Sequence, residues 1–354
     1  MQAIILHCAD GARFRLGETS LESVSPYLHA DTLFSALCNV YAQVHDDAEG
    51  FINLVQSGRL RFSSGFFAVE CSWLPGRYLY FVPRPPLRYG KGEADPKKLR
   101  RIKFVSLGVL DRIGRELRMG EIPATDVDLT ALPTLGAAFA CTPEELGPDA
   151  PAGLDEARFH SVETETHVKV HQLTRTDALY QEANLTFRTA RLDTSGTPEA
   201  AAHVRGHFYV LCKHALDPDE WRRFLGCVRI LADEGVGGSR SGGCGQFEAV
   251  EVRDDVPVPA SPRAALFLSL APTVPEDENA FTAARVYDLT TRAGGHAGPA
   301  RHRRVRMIRE GALFARPIGG RLVEVTPDPG EVRLPHPIYR SGLSFTLPLG
   351  TSHA

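Results

Sequence analysis

Residues 217–253 read DPDEWRRFLGCVRILADEGVGGSRSGGCGQFEAVEVR, and the architecture follows from how this stretch is divided. The spacing predicts a helix over 218–234. Asp217 caps it, because its carboxylate accepts from the free amides of the first turn. Pro218 suits the first helical position, and Asp219 and Glu220 complement the dipole. Trp221, Phe224, Leu225, Val228, Leu231 and Ala232 form one apolar face. The helix stops at Gly235, and a strand is predicted over 246–253. Between them lies Gly235-Val-Gly-Gly-Ser-Arg-Ser-Gly-Gly-Cys-Gly245, in which six of eleven residues are glycine. Gly235, Gly237, Gly238, Gly242, Gly243 and Gly245 let backbone amides turn toward a ligand and approach it closely. Ser239, Arg240 and Ser241 add hydroxyl and guanidinium donors suited to phosphate. The loop is not a nucleotide P-loop: it has no lysine, lacks both G-x-x-x-x-G-K-[ST] and G-x-G-x-x-G, and follows a helix rather than a strand. So many glycines are costly for a mere turn, which favours binding to a phosphate backbone.

Outward from this stretch, strands are expected over 2–7, 12–16, 59–63, 77–82 and 207–213, with Pro83-Arg-Pro-Pro86 ending the fourth. A helix is expected over 32–45, with Asp31 as its N-cap and Leu33, Leu37, Val40, Tyr41 and Val44 as its buried stripe. Residues 123–156, rich in Pro, Ala, Gly and acid, read as an insertion or mobile loop. Over 163–173 the sequence alternates, with Glu165, His167, Lys169 and His171 on one face. That period of two marks a strand or hairpin arm with a polar, partly basic side. Val256-Pro-Val-Pro-Ala-Ser-Pro262 reads as a linker. Beyond it come a strand over 265–270, a helix over 280–289, and strands over 305–309, 312–316 and 343–347. The order suits an α+β fold of two ferredoxin-like (RRM-like) domains with insertions and a glycine-rich loop, spanning residues 1–255 and 263–354.

The length of 354 residues fits two domains, and 43% hydrophobic with 23% charged residues is ordinary for a globular protein. The start of the chain has no basic n-region, no apolar stretch approaches the ~20 residues of a membrane span, and a cytoplasmic protein is expected. Seven scattered cysteines, never in C-x-x-C, argue against disulfides and zinc. The net charge of −3 does not favour nucleic-acid binding, but the charge is uneven. Lys97-Lys-Leu-Arg-Arg-Ile-Lys103 and Arg301-His-Arg-Arg-Val-Arg306 are dense basic runs, each on its own no more than a solvated face.

A second candidate site opens the first helix, with His29, Asp31, Thr32 and Ser35. One His–Asp pair lacks the further ligands of a metal centre, so no metal or cofactor is expected; a helix start can also present amides to an anion. Among thirteen histidines no Ser-His-Asp or Cys-His pattern stands out, and His167-x-x-x-His171 lacks the zincin glutamate.

Asp31-Thr-Leu-Phe-Ser-Ala-Leu37, the glycine loop through Phe247, Leu268-Ser-Leu-Ala-Pro272, Tyr287-Asp-Leu-Thr-Thr-Arg-Ala-Gly-Gly295, Met307-Ile-Arg-Glu-Gly-Ala-Leu-Phe314 and His336-Pro-Ile-Tyr-Arg-Ser-Gly342 span nearly the whole chain. In this order they resemble the repeat-associated RNA-binding (RAMP) superfamily of CRISPR effector proteins, in particular the Csm-type subunits that cap the foot of type III-A complexes. The resemblance implies two ferredoxin-like domains and no catalytic activity. It also implies binding of the 5′ repeat-derived handle of the guide RNA (crRNA), antiviral defence, and contacts with the large polymerase/cyclase-like subunit and the backbone RAMP subunits. A hairpin thumb, for which the arm with His167, Lys169, His171 and Arg175 is the candidate, would meet target RNA indirectly. The alternatives are a guide-RNA-processing endoribonuclease of the same superfamily and an adaptor that touches no RNA.

Overall fold

In the computed structural model, placement is described for all residues except 18–21, 91–94, 171–176, 193–201, 262, 295–300, 329, 331–333, 335 and 352–354. The hub is the long strand Ala202–His214, apolar on both faces from Phe208 to Cys212. It pairs antiparallel with Gln2–His7 on one side, Ile5 opposite Tyr209, and with Phe66–Cys71 on the other, Gly206 opposite Val69. Gly206 is needed there, because a Cβ would meet the Phe159 ring. Ala249–Arg253 closes the far edge of Gln2–His7. Tyr78–Pro83, Phe104–Ser106, Phe139–Ala140 and Thr134–Leu135 extend the sheet in the other direction, and Ala190–Leu192 and Leu60–Phe62, which pair with Ala202–His214, bring it to ten strands among the described residues.

Residues 123–156, read from their composition as an insertion or mobile loop, thus supply strands to the sheet and side chains to the core. Val127, Leu129, Leu135, Phe139, Ala140 and Cys141 are buried, and Phe139 stacks on Phe104 at 4.9 Å. Thr142 and Glu145 close a capping box over Pro143–Leu146. Proline and acid here cap short elements; they do not solvate a loop.

Two long helices lie against each other and the sheet. Pro218–Glu234 forms as its caps dictate: the Asp217 carboxylate accepts from the amides of Asp219 and Glu220, each at 2.9 Å, and the chain turns at Gly235 with φ +85°. Phe224, Cys227, Val228, Leu231 and Ala232 are buried, while Trp221 stacks on His214 at 4.0 Å. The first helix is Ala30–His45, so its N-cap is His29, and Asp31 lies in the first turn with its side chain turned inward. Its buried stripe includes Phe34, and Val44 is exposed. Tyr41 and Phe34 pack on Phe51 of a further helix, Ala48–Gln56, which the sequence reading left out.

Beyond residue 263 the chain is built mainly of strands. Ala264–Ser269 pairs with Thr346–Thr351 and Leu313–Phe314, and Leu289–Arg292 pairs with Val305–Ile308. The helix expected over 280–289 is the single turn Glu278–Phe281, followed by Ala284–Val286 and Leu289–Arg292 in strands. Leu266, Leu268, Leu270, Leu313, Leu347 and Leu349 belong to the same apolar core as the ten-stranded sheet. The molecule is mixed α/β throughout. Among the described residues, no helix is long and apolar enough to cross a membrane.

Candidate nucleic-acid interface

The glycine loop uses its glycines in two ways. At Gly235, Gly237 and Gly245 φ is +85°, +93° and +90°, and backbone crowds the place of a side chain. A Cβ on Gly237 would lie 2.5 Å from the Arg15 carbonyl, and one on Gly245 would overlap the Val236 carbonyl. These glycines fold the loop onto itself and onto residues 13–15, as do the bonds from Gly238 N to Arg15 O, Gly245 N to Arg13 O and Val236 N to Gly245 O. At Gly242 and Gly243 a Cβ would meet only open space. The tip, from Gly238 to Gly243, is exposed. The amides that the sequence reading turned outward are therefore fewer than six glycines suggest. Among the described residues, those of Ser239, Arg240 and Ser241 have no backbone acceptor. These three residues, together with Glu234, line an open depression of about 510 Å³. Donors crowd this tip and Glu234 is the acid on its rim, an arrangement fit for a phosphodiester held from the Arg240 side.

The arm is the antiparallel pair His160–Val170 and Asp177–Phe187. Its exposed face carries Val162, Val168 and Leu179, the last 72% exposed. The opposite face turns toward the glycine loop, where Arg13 donates to Glu165 at 2.7 Å and Arg15 Nε to Glu182 Oε1 at 2.8 Å. Ser239 Oγ donates to the same Glu182 oxygen at 2.6 Å. His167 lies between Glu165 and Glu182, its Nε2 at 3.6 and 4.0 Å from their carboxylates, and stacks on Tyr180. Among the predicted arm residues His167 thus faces this inner network, Lys169 lies in the strand, and His171 and Arg175 fall outside the described residues. The sequence reading missed Arg13, Arg15, Glu165 and Glu182 as partners of the loop. Their signal was the alternation in Arg13-Phe-Arg15, which puts both guanidiniums on one face of an edge strand.

The start of the first helix serves a different purpose from the one expected. Asp31 is fully buried and receives Arg292 Nε at 3.0 Å and Arg292 Nη2 at 3.1 Å, together with Arg340 Nη1. Burial pushes its carboxyl up, but the two guanidiniums more than reverse that and hold it at about 2. Thr32 Oγ1 accepts from Arg292 at 3.0 Å. His29 Nδ1 meets Glu310 at 2.7 Å, and Ser64 donates to the same oxygen at 2.6 Å. Burial opposes ionisation of Glu310, yet His29 and Ser64 draw its pKa below the ordinary value. His29 and Asp31 are therefore committed to the joint between the two halves of the chain and do not face an external anion; Ser35 alone of this group is exposed. The basic runs remain at the surface, with Lys97, Arg100, Arg101 and Lys103 exposed around the helix Pro96–Arg101, and Arg301, Arg303, Arg304 and Arg306 exposed in the second half. Among the described residues, no group of three or more His, Cys, Asp or Glu side chains is placed to hold a metal ion.

Comparison with known proteins gives this geometry its setting. The whole chain superposes on two solved structures: a Csm3–Csm4 subcomplex of a type III-A CRISPR-Cas interference complex, and a Csm1–Csm4 cassette in complex with cA4. For the first the TM-score is 0.63 at 18% identity, over 99% of this chain and 100% of that one. For the second it is 0.54 at 16% identity, over 100% of both. The CRISPR system Cms protein Csm4 of Methanocaldococcus jannaschii is 24% identical over 271 residues, 72% of this chain and 67% of the relative. The chain thus shares the fold of these Csm4-containing structures and is similar in sequence to a Csm4 protein. Residues 263–349 match the family of the CRISPR Csm4 C-terminal domain.

Proposed function

We propose that this chain is a non-catalytic subunit of a type III-A interference complex that holds the 5′ repeat-derived handle of the crRNA and anchors the large polymerase/cyclase-like subunit. The observation that carries the reading is the exposed loop tip, where Ser239, Arg240 and Ser241, whose amides have no backbone acceptor among the described residues, line one depression with Glu234. Backbone amides, serines and an arginine bind phosphate without needing a basic protein overall, so a net charge of −3 is no obstacle. The first half supports a ferredoxin-like reading. Its strands Phe66–Cys71, Ala202–His214, Gln2–His7 and Ala249–Arg253 lie side by side in that order, with one long helix after Gln2–His7 and the other before Ala249–Arg253, which is the split β-α-β pattern. Relatives have been solved with Csm1 and with Csm3, which supports the large subunit and the backbone RAMP subunits as partners here. The arm, whose outward face carries Val162, Val168 and Leu179, takes the part of the thumb that meets the guide–target duplex.

The test is the affinity of the full-length chain for RNA with and without the handle. Replacing Arg240 and Ser241 by alanine is expected to weaken handle binding roughly ten- to a hundredfold, the worth of one or two charge-assisted hydrogen bonds, and to lower the salt slope by about one. Unchanged affinity at moderate salt would overturn the assignment. Metal-independent cleavage of a repeat hairpin by the purified chain would favour the endoribonuclease instead.

A further inference from the structure

We infer that Glu182 is a positioning residue that latches the arm to the glycine loop, so that arm and loop move as one body. Three observations converge on it. Its oxygen Oε1 takes two donors, Ser239 Oγ at 2.6 Å from the loop and Arg15 Nε at 2.8 Å from the edge strand, while the residue itself is only 8% exposed. Arg15 closes the triangle, since its Nη1 donates to the Ala183 carbonyl at 2.7 Å and its backbone carbonyl accepts from Gly238 at 2.9 Å. The third is the backbone of Ser239, at φ +55°, a left-handed conformation that glycine adopts more cheaply than serine.

In a loop with six glycines, serine at this position needs a reason, and the hydroxyl on Glu182 supplies it. The bond fixes Ser239 just before the single turn Arg240–Gly242, and so sets the direction in which Arg240 and Ser241 point. On the other side Glu182 lies in the strand Asp177–Phe187, opposite Glu165, which is itself held by Arg13 at 2.7 Å. A displacement of the loop tip is thereby passed to the middle of the arm through charge-assisted bonds and not through a flexible link. That such a displacement comes from RNA rests on the reading of the loop given above; the latch itself does not.

Hydrogen exchange on the full-length chain separates the two. In the free chain, the Ser239→Gly variant relieves the left-handed backbone but removes the donor. Its melting temperature is expected to equal or exceed that of the parent, while arm amides over 179–187 exchange about tenfold faster and those of the helix Pro218–Glu234 are unchanged. Glu182→Ala should loosen the arm at least as much. Glu182→Gln should restore it, because one amide oxygen can accept both donors. An arm unchanged in Ser239→Gly, or as loose in Glu182→Gln as in Glu182→Ala, would overturn the latch. With saturating handle-bearing RNA, the parent and Glu182→Gln should gain arm protection on binding and Ser239→Gly should not. If the parent binds no RNA, the functional reading fails and the free-chain exchange still judges the latch.

Discussion

At Asp31 a buried carboxylate faces two guanidiniums, and the balance there is steep. Arg292 and Arg340 are themselves nearly buried, so removing the acid takes away the carboxylate that balances two desolvated guanidiniums. Asp31→Asn is expected to cost about 3–5 kcal/mol, read as a shift in urea midpoint, and a loss below about 1 kcal/mol would contradict the joint described here. The sign with pH follows from the depressed carboxyl: Asp31 stabilises the fold above its ordinary 3.8, and that contribution is lost as the pH falls toward about 2. Two histidines act earlier. His160, half-buried and packed among Phe67, Phe139 and Phe159, is pushed down to about 4 by desolvation, and His207 reaches the same value through burial and the neighbouring His7. Both are depressed from 6.5, so the unfolded chain binds more protons between pH 6.5 and 4 and stability falls as the pH is lowered through that window. Thermal melts of His160→Phe should show a flatter decline there; an identical decline would show that His160 does not titrate on unfolding. None of this was legible at residue level. Asp31 reads as a helix cap because its partners lie 261 and 309 residues away, and pairing at such separations leaves no local pattern. Four of the stretches that carry the family resemblance, those with Asp31, Arg292, Glu310 and Arg340, meet at this joint, so the resemblance marks the place without giving the reason.

Among elements, the well-capped helix and its loop were readable because their signals are local: an Asp-Pro-Asp-Glu start, an apolar stripe and a glycine stop. The alternation over 163–173 likewise pointed to an arm. The misread elements share a physical cause. Thr134–Leu135 and Phe139–Ala140 are two residues each, too short to alternate, and burial of Phe139 beside Phe104 holds them in the sheet. Ala48–Gln56 buries only Phe51 and Val55, one turn apart, which gives a faint stripe. The glycines of the loop also divide in a way composition cannot show. Gly245→Ala must force its Cβ into the Val236 carbonyl at φ +90° and should destabilise the chain by about 1–3 kcal/mol. Gly242→Ala faces open space and should stay within about 0.5 kcal/mol of the parent. Equal melting temperatures for the two variants would refute this division.

For the whole molecule, one apolar core runs through both halves and two buried ionic clusters join them. Length, composition and order of elements were enough to expect a two-part α+β chain. That the parts share a core was hidden, because core membership depends on which leucines meet in space. A two-part body with a shared core and an exposed donor-rich loop is consistent with the proposed capping subunit. The measurement that tests this most directly is co-purification: a tagged copy expressed with its neighbouring operon genes, followed by sequencing of the RNA that comes with it. The account predicts short RNAs sharing one common 5′ end, recovered together with a very large partner subunit and lost with the Arg240→Ala, Ser241→Ala variant. Recovery of the chain with its partners but with no RNA, or with RNAs of random 5′ ends, would contradict it.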